Sequence, residues 1–446
     1  MKTILILGAG LSSTSLINYL LDASKEHDWK IIVGDKSVDT AIKKIHEHPN
    51  GEAVSFDVND ASLRAELIKK ADLVISMLPA YMHTEVAKDC VKYSKNMLTA
   101  SYISDEMKKL DAEAKKKKIL LLNEMGVDPG IDHMSAMQII DRIRSMGGKI
   151  TEFESSTGGL VAPEYDNNPW NYKITWNPRN VVVAGQGASR FLQKGRKKYI
   201  PYHRLFSRIE TVSILDYGEF EIYPNRDSLK YMDIYGLQGI KTLFRGTIRR
   251  PGYSAAWNVF VQLGLTDDSY TIDGSEDMTY REFLNCYLAY EKNVPVEKKL
   301  ARYVNIDEDS EIMEKIRYTG IFENKKIGFK DATPAQVLQK LVEDKWQLKT
   351  DEKDMIVMHH IFRYERIETE RIITASLIFK GSDNVNTAMA VTVGIPVAIA
   401  AKLILTGKIK AIGVHLPIIP EIYNPILEEL KEYGIRFIEE ETVIDD

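Results

Sequence analysis

The strongest constraint on this chain's fold is an apolar run that ends in glycine, Thr3-Ile-Leu-Ile-Leu7 followed by Gly8-Ala-Gly-Leu-Ser-Ser13. A second apolar run, Ile31-Ile-Val-Gly-Asp35, ends in an acid. Strand, Gly-rich turn, helix and second strand in this order make the βαβ unit that binds a mononucleotide. Gly8 permits the tight turn, and Gly10 lets the backbone approach a pyrophosphate at the helix N-terminus. Ser13 stands where the third glycine of the fingerprint would be and is small enough for close packing. Asp35 sits where a carboxylate grips an adenosine ribose. The alternative is a Gly-rich turn that binds nothing, but the position of the acid favours a dinucleotide.

Apolar and helical patterns alternate through the first 125 residues. Strands are expected over 3–7, 30–35, 53–57, 73–78, 97–101 and 119–123. Helices are expected over 13–23, 39–47, 62–70, 82–93 and 105–117. Strands joined by crossover helices imply a doubly wound parallel sheet of the Rossmann type. The pattern changes after Gly126: a helix to Arg144, strands and loops to about Tyr253, a charged helical lobe over 275–345, and two strand-like runs over 354–365 and 371–380. A long apolar helix over 386–405 and a short terminal helix and strand follow. At 446 residues the chain is expected to form more than one domain. The expected class is α/β, with a Rossmann domain over 1–125 and 386–446. A mixed α/β substrate domain is expected over 126–274 and 346–385, with the lobe inserted in it.

Bulk properties exclude several functions. A net charge of -5 gives no basic footprint for nucleic acid. Two cysteines, Cys90 and Cys286, make no disulfide framework and suit a reducing cytoplasm. No basic leader is seen, and the apolar run over 389–405 is interrupted by Gly394 and Pro396, so neither a signal peptide nor a membrane span is expected. His359-His360 and the His46/His48 pair lack the carboxylate and cysteine company of a metal site, so no metal is expected.

In open α/β sheets ligands bind beyond the carboxyl ends of the strands. Strand two ends in Gly34-Asp35-Lys36; the carboxylate favours NAD, while Lys36 is a cation that tolerates NADP. Strand three ends in Phe56-Asp57-Val58, a candidate adenine contact, and strand four in Ser76-Met-Leu-Pro79, beside the nicotinamide half. Strand five ends in Thr99-Ala-Ser-Tyr102, and strand six in Asn123-Glu-Met-Gly126, followed by Asp128-Pro129. Asp128 reads either as a helix N-cap before proline or as a functional acid at the sheet's edge. His133, on the same helix, reads as a packed histidine rather than a general base. Two arginine clusters, Tyr223-Pro-Asn-Arg-Asp-Ser228 and Arg245-Gly-Thr-Ile-Arg-Arg250, suit an anionic substrate, because guanidinium forks bind carboxylates in bidentate fashion.

These strings together resemble saccharopine dehydrogenase of the glutamate-forming type. Besides the glycine turn, Asp57-Val-Asn-Asp60 and the strand-five end, the matching pieces are Gly126-Val-Asp-Pro-Gly-Ile-Asp-His-Met134, Gly158-Gly-Leu-Val-Ala-Pro-Glu164, Tyr172-Lys-Ile-Thr-Trp176 and both arginine clusters. The resemblance implies substrate contacts at Ser101, Asp128, Arg226, Thr247 and Arg249, with Asp128 catalytic. It implies cofactor contacts at Gly8 and over Ala9, Gly10, Leu11 and Ser12, then at Gly34, Asp35, Lys36, Asp57, Val58, Met77, Leu78, Ser101, Tyr102, Gly126 and Val127. Asn177 would lie near the nicotinamide. It also implies a homodimer acting in lysine metabolism on saccharopine, or in reverse on glutamate and aminoadipate semialdehyde, with NAD or NADP. Two departures stand out: Thr157 replaces the cysteine that fungal members carry before the paired glycines, and Asp35 favours NAD where those members use NADP. The alternatives are a carboxyspermidine-type imine reductase, which needs fewer arginine clamps, and a non-catalytic dinucleotide-binding regulator.

Overall fold

The computed structural model describes residues 1–444. Six strands fall in the N-terminal part: β1 Lys2–Leu7, β2 Trp29–Asp35, β3 Gly51–Ser55, β4 Leu73–Ser76, β5 Asn96–Thr99 and β6 Leu120–Leu122. The rest of the chain adds β7 Lys149–Val161, β8 Ser189–Gln193, β9 Arg196–Ile200, β10 Glu210–Ser213, β11 Glu219–Pro224 and β12 Thr242–Arg249. The last four are β13 Asp354–Arg366, β14 Thr369–Lys380, β15 Gly413–His415 and β16 Ile438–Ile444. The first sheet is parallel, in the order β15-β6-β5-β4-β1-β2-β3. Strand order therefore reverses between β1 and β4, which opens a crevice at their carboxyl ends. The centre of this sheet is apolar on both faces, as covering helices require: Ile4, Leu5, Ile6 and Leu7 are all fully buried.

The second sheet has nine strands: seven follow the path β10-β11-β12-β7-β13-β14-β16, and off it β8 pairs with β12 and β9 with β8. β7 and β12 run parallel; the other neighbours are antiparallel. The β13–β14 hairpin sits well inside this sheet, and β7 and β13 pair along nearly their whole length. The helices between Tyr280 and Lys345 pack with helix Tyr253–Leu263 into a separate apolar core beside the sheet.

Helix Ala388–Leu405 is long and apolar enough to cross a membrane by composition, yet it is largely buried inside the protein. It lies on the first helix, Thr14–His27, and the approach is close because of Gly394, where an added Cβ would meet the backbone nitrogen of Leu16 at 2.9 Å. Three details depart from the sequence expectation. The stretch over 105–117 breaks into Asp105–Lys108 and Asp111–Lys117, joined at Leu110. The helix after Gly126 begins at Ile131, capped by Gly130 at φ 148°, so Asp128 is not its cap. β15 extends the first sheet, but β16 joins the second, alongside β14, rather than staying with the first sheet as expected for 386–446. There it covers the edge of β14, and because Ile438-Glu-Glu-Glu-Thr-Val-Ile444 is almost wholly exposed, its charge discourages further pairing at the new edge.

Three histidines are buried and neutral. Burial pushes His83 and His359 down to about 4 and His360 to about 3. A histidine depressed in the fold contributes stability above its unfolded value of about 6.5 and loses it as the pH falls toward the folded value. The melting temperature should therefore fall steadily from pH 6.5 to pH 4. His360→Phe should make that slope shallower, because a phenyl ring keeps the stack on Phe437, and Ser135 keeps its bond to the Ile131 carbonyl. Melting curves across that range check this.

Candidate active site

The glycine turn forms as its sequence requires. Gly8 sits at φ 103°, and a Cβ there would meet the Met77 carbonyl oxygen at 2.8 Å, so both conformation and space demand glycine. Gly10 has no heavy atom near its missing Cβ, and Ser12 opens into the adjoining cavity. This cradle fits a dinucleotide phosphate: bare backbone, an open approach and a helix N-terminus behind it. Asp35 closes the turn from β2, accepting from the Ala9 amide at 2.7 Å and the Ser37 amide at 2.9 Å. Lys36 is drawn 3.3 Å from Asp57, whose carboxyl is held below its ordinary value by the Asn59 amide first and by Lys36 after it. Gly34, beneath the turn, packs against Phe56. Val58 is buried. Lys44, not singled out by its sequence, donates to the Gly10 carbonyl and, at 2.9 Å, to the Thr14 hydroxyl. Burial pushes it down to about 8.

A cavity of about 260 Å³ lies between this edge of the first sheet and one face of the second. Its first wall is Ser12, Ala100, Tyr102 and the turn Gly126–Pro129; its second is built on β7, β11 and β12. Register explains the second wall: Tyr223 pairs with Thr247, and Thr247 with Thr157, so three polar side chains form a row across the sheet. Trp176, Asn180, Asn225, Arg226 and Met389 are among the other lining residues. Side chains alternate along a strand, so Arg245, Thr247 and Arg249 of β12 share one face. That spacing was readable in the sequence.

The arginines have different fates. Arg245 is 5% exposed and bridges two carboxylates, Asp128 and, at 2.6 Å, Asp132. Its other nitrogen donates to the Tyr231 hydroxyl at 2.5 Å, and its plane lies 4.4 Å from that ring. Arg245 is thus committed inside the protein, contrary to a reading of its whole cluster as substrate clamps. Arg250 likewise donates to the Tyr217 carbonyl at 2.8 Å. Arg249 is 4% exposed and has no carboxylate within ion-pair distance among the described residues. It lies among the rings of Tyr172 at 5.0 Å, Tyr253 at 5.2 Å and Tyr223 at 5.9 Å, and its Nε has no acceptor. A buried, always charged guanidinium without a counterion is costly, and cation–π contacts offset only about 0.5–2 kcal/mol each. Arg226, at φ 49°, is exposed at the cavity and lies 5.2 Å over the Tyr102 ring.

Tyr102 donates to Asp128 at 3.0 Å. Burial first, then the Asp128 charge, pushes its phenol well above the ordinary value. Behind it, His133 lies between Glu124 at 2.7 Å and Tyr235 at 2.5 Å, fully buried, as a packed histidine. Burial drives the Glu124 carboxyl up, but the His133 hydrogen bond and charge outweigh it, and the net direction is down. Ser101 turns to His83. The Asn177 side chain caps helix Pro178–Val182 through the Arg179 amide at 3.0 Å; its neighbours Trp176 and Asn180, rather than Asn177, are among the lining residues. Met77 and Leu78 abut Gly8, while exposed Leu11 stands outside the cavity lining.

Comparison with known proteins gives concordant matches. Residues 4–122 match the saccharopine dehydrogenase NADP binding domain, and residues 126–435 match the saccharopine dehydrogenase C-terminal domain. A mitochondrial alpha-aminoadipic semialdehyde synthase of Mus musculus is 35% identical over 99% of this chain; the chain spans 48% of that relative's length. The NADP(+)-dependent, L-glutamate-forming saccharopine dehydrogenase of Schizosaccharomyces pombe is 31% identical over the full length of both chains. The structure of the L-Glu-forming saccharopine dehydrogenase from Saccharomyces cerevisiae superposes with a TM-score of 0.89, at 31% identity, covering 99% of this chain and 100% of that one.

Removing the bridging guanidinium leaves Asp128 and Asp132 buried together. Arg245→Met should cost about 3–5 kcal/mol of stability, read by urea denaturation. Asp132→Asn, which keeps Arg245 paired with Asp128, should cost less.

Proposed function

The chain belongs to the saccharopine dehydrogenase family, and we propose that it oxidises the secondary amine of saccharopine, releasing L-glutamate and 2-aminoadipate 6-semialdehyde. The observation that carries this reading is Arg249, a buried cation without a counterion at the wall of a cavity that opens onto the glycine turn. It calls for an anion, and saccharopine offers three carboxylates. Arg249 takes one in a desolvated site, where a charge-assisted, bidentate pair is strongest. Arg226, exposed at the same cavity, takes a second.

The residues that hold the dinucleotide are the turn from Gly8 to Ser12, Asp35, and the strand ends at Met77, Leu78 and Gly126. A bound oxidised nicotinamide supplies the hydride acceptor. The chain's own groups do the rest. The substrate nitrogen must be unprotonated before the ε-methylene of the lysyl half gives up hydride, because a protonated nitrogen has no lone pair to form the imine. Asp128 and Asp132 against Arg245 leave one net negative charge beside the cavity, which favours the iminium-like cation as it develops. Water then adds to the imine carbon, and the nitrogen leaves with the glutamyl half.

NAD is the preferred cofactor in this reading. The Asp35 carboxylate is held fixed at the end of β2 by two backbone amides, and Lys36 is partly neutralised by Asp57. A 2′-phosphate there would meet negative charge. The L-glutamate-forming relatives are named for NADP(+), so the preference separates this chain from them.

Initial rates at the reduced-nicotinamide absorbance, with saccharopine and either NAD⁺ or NADP⁺, test both parts. The expected result is saccharopine-dependent reduction that favours NAD⁺. Asp35→Ser should move the preference at least about tenfold toward NADP⁺, the equivalent of about 1.4 kcal/mol. Arg249→Met should raise the KM for saccharopine about a hundredfold or more while dinucleotide affinity, measured by titration, is unchanged; the loss of a buried charge-assisted contact sets that scale. Absence of turnover in a protein that binds the dinucleotide would refute the assignment.

A further inference from the structure

A buried histidine links the carboxyl ends of β4 and β5. His83, the first residue of helix His83–Tyr93, is 3% exposed. Its Nδ1 lies 2.8 Å from the Ser76 hydroxyl at the end of β4, and its Nε2 lies 2.8 Å from the Ser101 hydroxyl just past β5. Thr99, paired with Ser76 across the two strands, adds a contact to Nε2 at 3.2 Å and accepts from the Ser101 amide at 3.3 Å. Ser76 precedes Met77, whose carbonyl abuts Gly8; Ser101 lies between Ala100 and Tyr102, both of which line the cavity. Burial keeps the ring neutral, at about 4.

We propose that His83 is a positioning residue that fixes the Ser101 hydroxyl for a substrate oxygen. A neutral imidazole has one donor and one acceptor, so the network has a direction. With the proton on Nε2, Ser76 donates to Nδ1, Nε2 donates to Ser101, and the Ser101 proton points outward, free for a carboxylate oxygen. The inference rests on the saccharopine reading above.

The test is a double-mutant cycle in the intact enzyme. His83→Asn keeps an amide within reach of Ser76 but is too short for Ser101; His83→Gln places its amide near the Nε2 position. His83→Asn should raise the KM for saccharopine about tenfold and leave kcat within about threefold, because one hydrogen bond to the substrate is misdirected. His83→Gln should restore most of that loss. Ser101→Ala should raise the KM similarly, and adding His83→Asn to it should change nothing further. Additive losses in KM, equal losses for Asn and Gln, or a change in kcat alone would each overturn the proposal. Wild-type enzyme that binds the dinucleotide but never turns over saccharopine would overturn the functional reading and this inference with it. If either His83 variant fails to fold, Ser76→Ala substitutes for it: it loosens the ring, and its KM effect should vanish in the Ser101→Ala background; independent effects would refute the proposal.

Discussion

One guanidinium ties the second sheet to the turn that leads out of the first. Arg245 leaves β12 of the second sheet and reaches Asp128 and Asp132, which belong to the segment that follows the first sheet. Buried ions are retained only when paired and hydrogen-bonded. Here the pairing runs between β12 and the turn that leads out of the first sheet, so moving that turn away from the second sheet includes the cost of exposing or unpairing these charges. The turn from Gly126 to Ile131 supports it locally, with Gly126 donating to the Pro129 carbonyl at 2.8 Å and Ile131 to the Gly126 carbonyl at 2.9 Å. That turn also forms part of the cavity wall. The same tie therefore holds that part of the wall against the row of Tyr223, Thr247 and Thr157.

The charge layout follows from that tie. Arg245 is spent on structure, which leaves Arg249 in its tyrosine cage and Arg226 at the surface as free cations facing one cavity. The glycine turn offers backbone amides from the other side. Anion binding is thus divided between a helix N-terminus for phosphate and guanidinium groups for carboxylate, with one net negative charge near the middle. A substrate with several carboxylates and a nitrogen that becomes cationic matches this layout. A polyamine would not match it, since it would meet Arg226 and Arg249 with positive charge.

The first sheet was legible because its central strands β1, β2 and β4 are short apolar runs followed closely by Gly8, Asp35 and Pro79, and periodic helices lie between. Strand boundaries shifted by one or two residues, as at β3 and β5. β16 was not legible as part of the second sheet: a run of three glutamates carries no hint of its partner, which is chosen by the open edge of β14. The break at Leu110 was hidden by good helix formers on both sides. In the site, strings such as the one from Gly126 to Met134 marked the right segment, yet residue type could not separate Arg245 from Arg249. Both are arginines on one face of one strand; what separates them is whether a carboxylate from another element reaches the side chain. Lys44 and His83 show the same limit, because Gly10, Thr14 and Ser101 come from other elements.

The central claim is that the cavity directs hydride loss from one particular carbon. Saccharopine deuterated at the ε-methylene of its lysyl half tests it directly, with the reduced nicotinamide and amino-acid products read by mass spectrometry. The account predicts deuterium in the reduced nicotinamide, a primary isotope effect on the chemical step and unlabelled glutamate. Release of lysine, or reduction that takes its hydrogen from the glutamyl α-carbon, would contradict it.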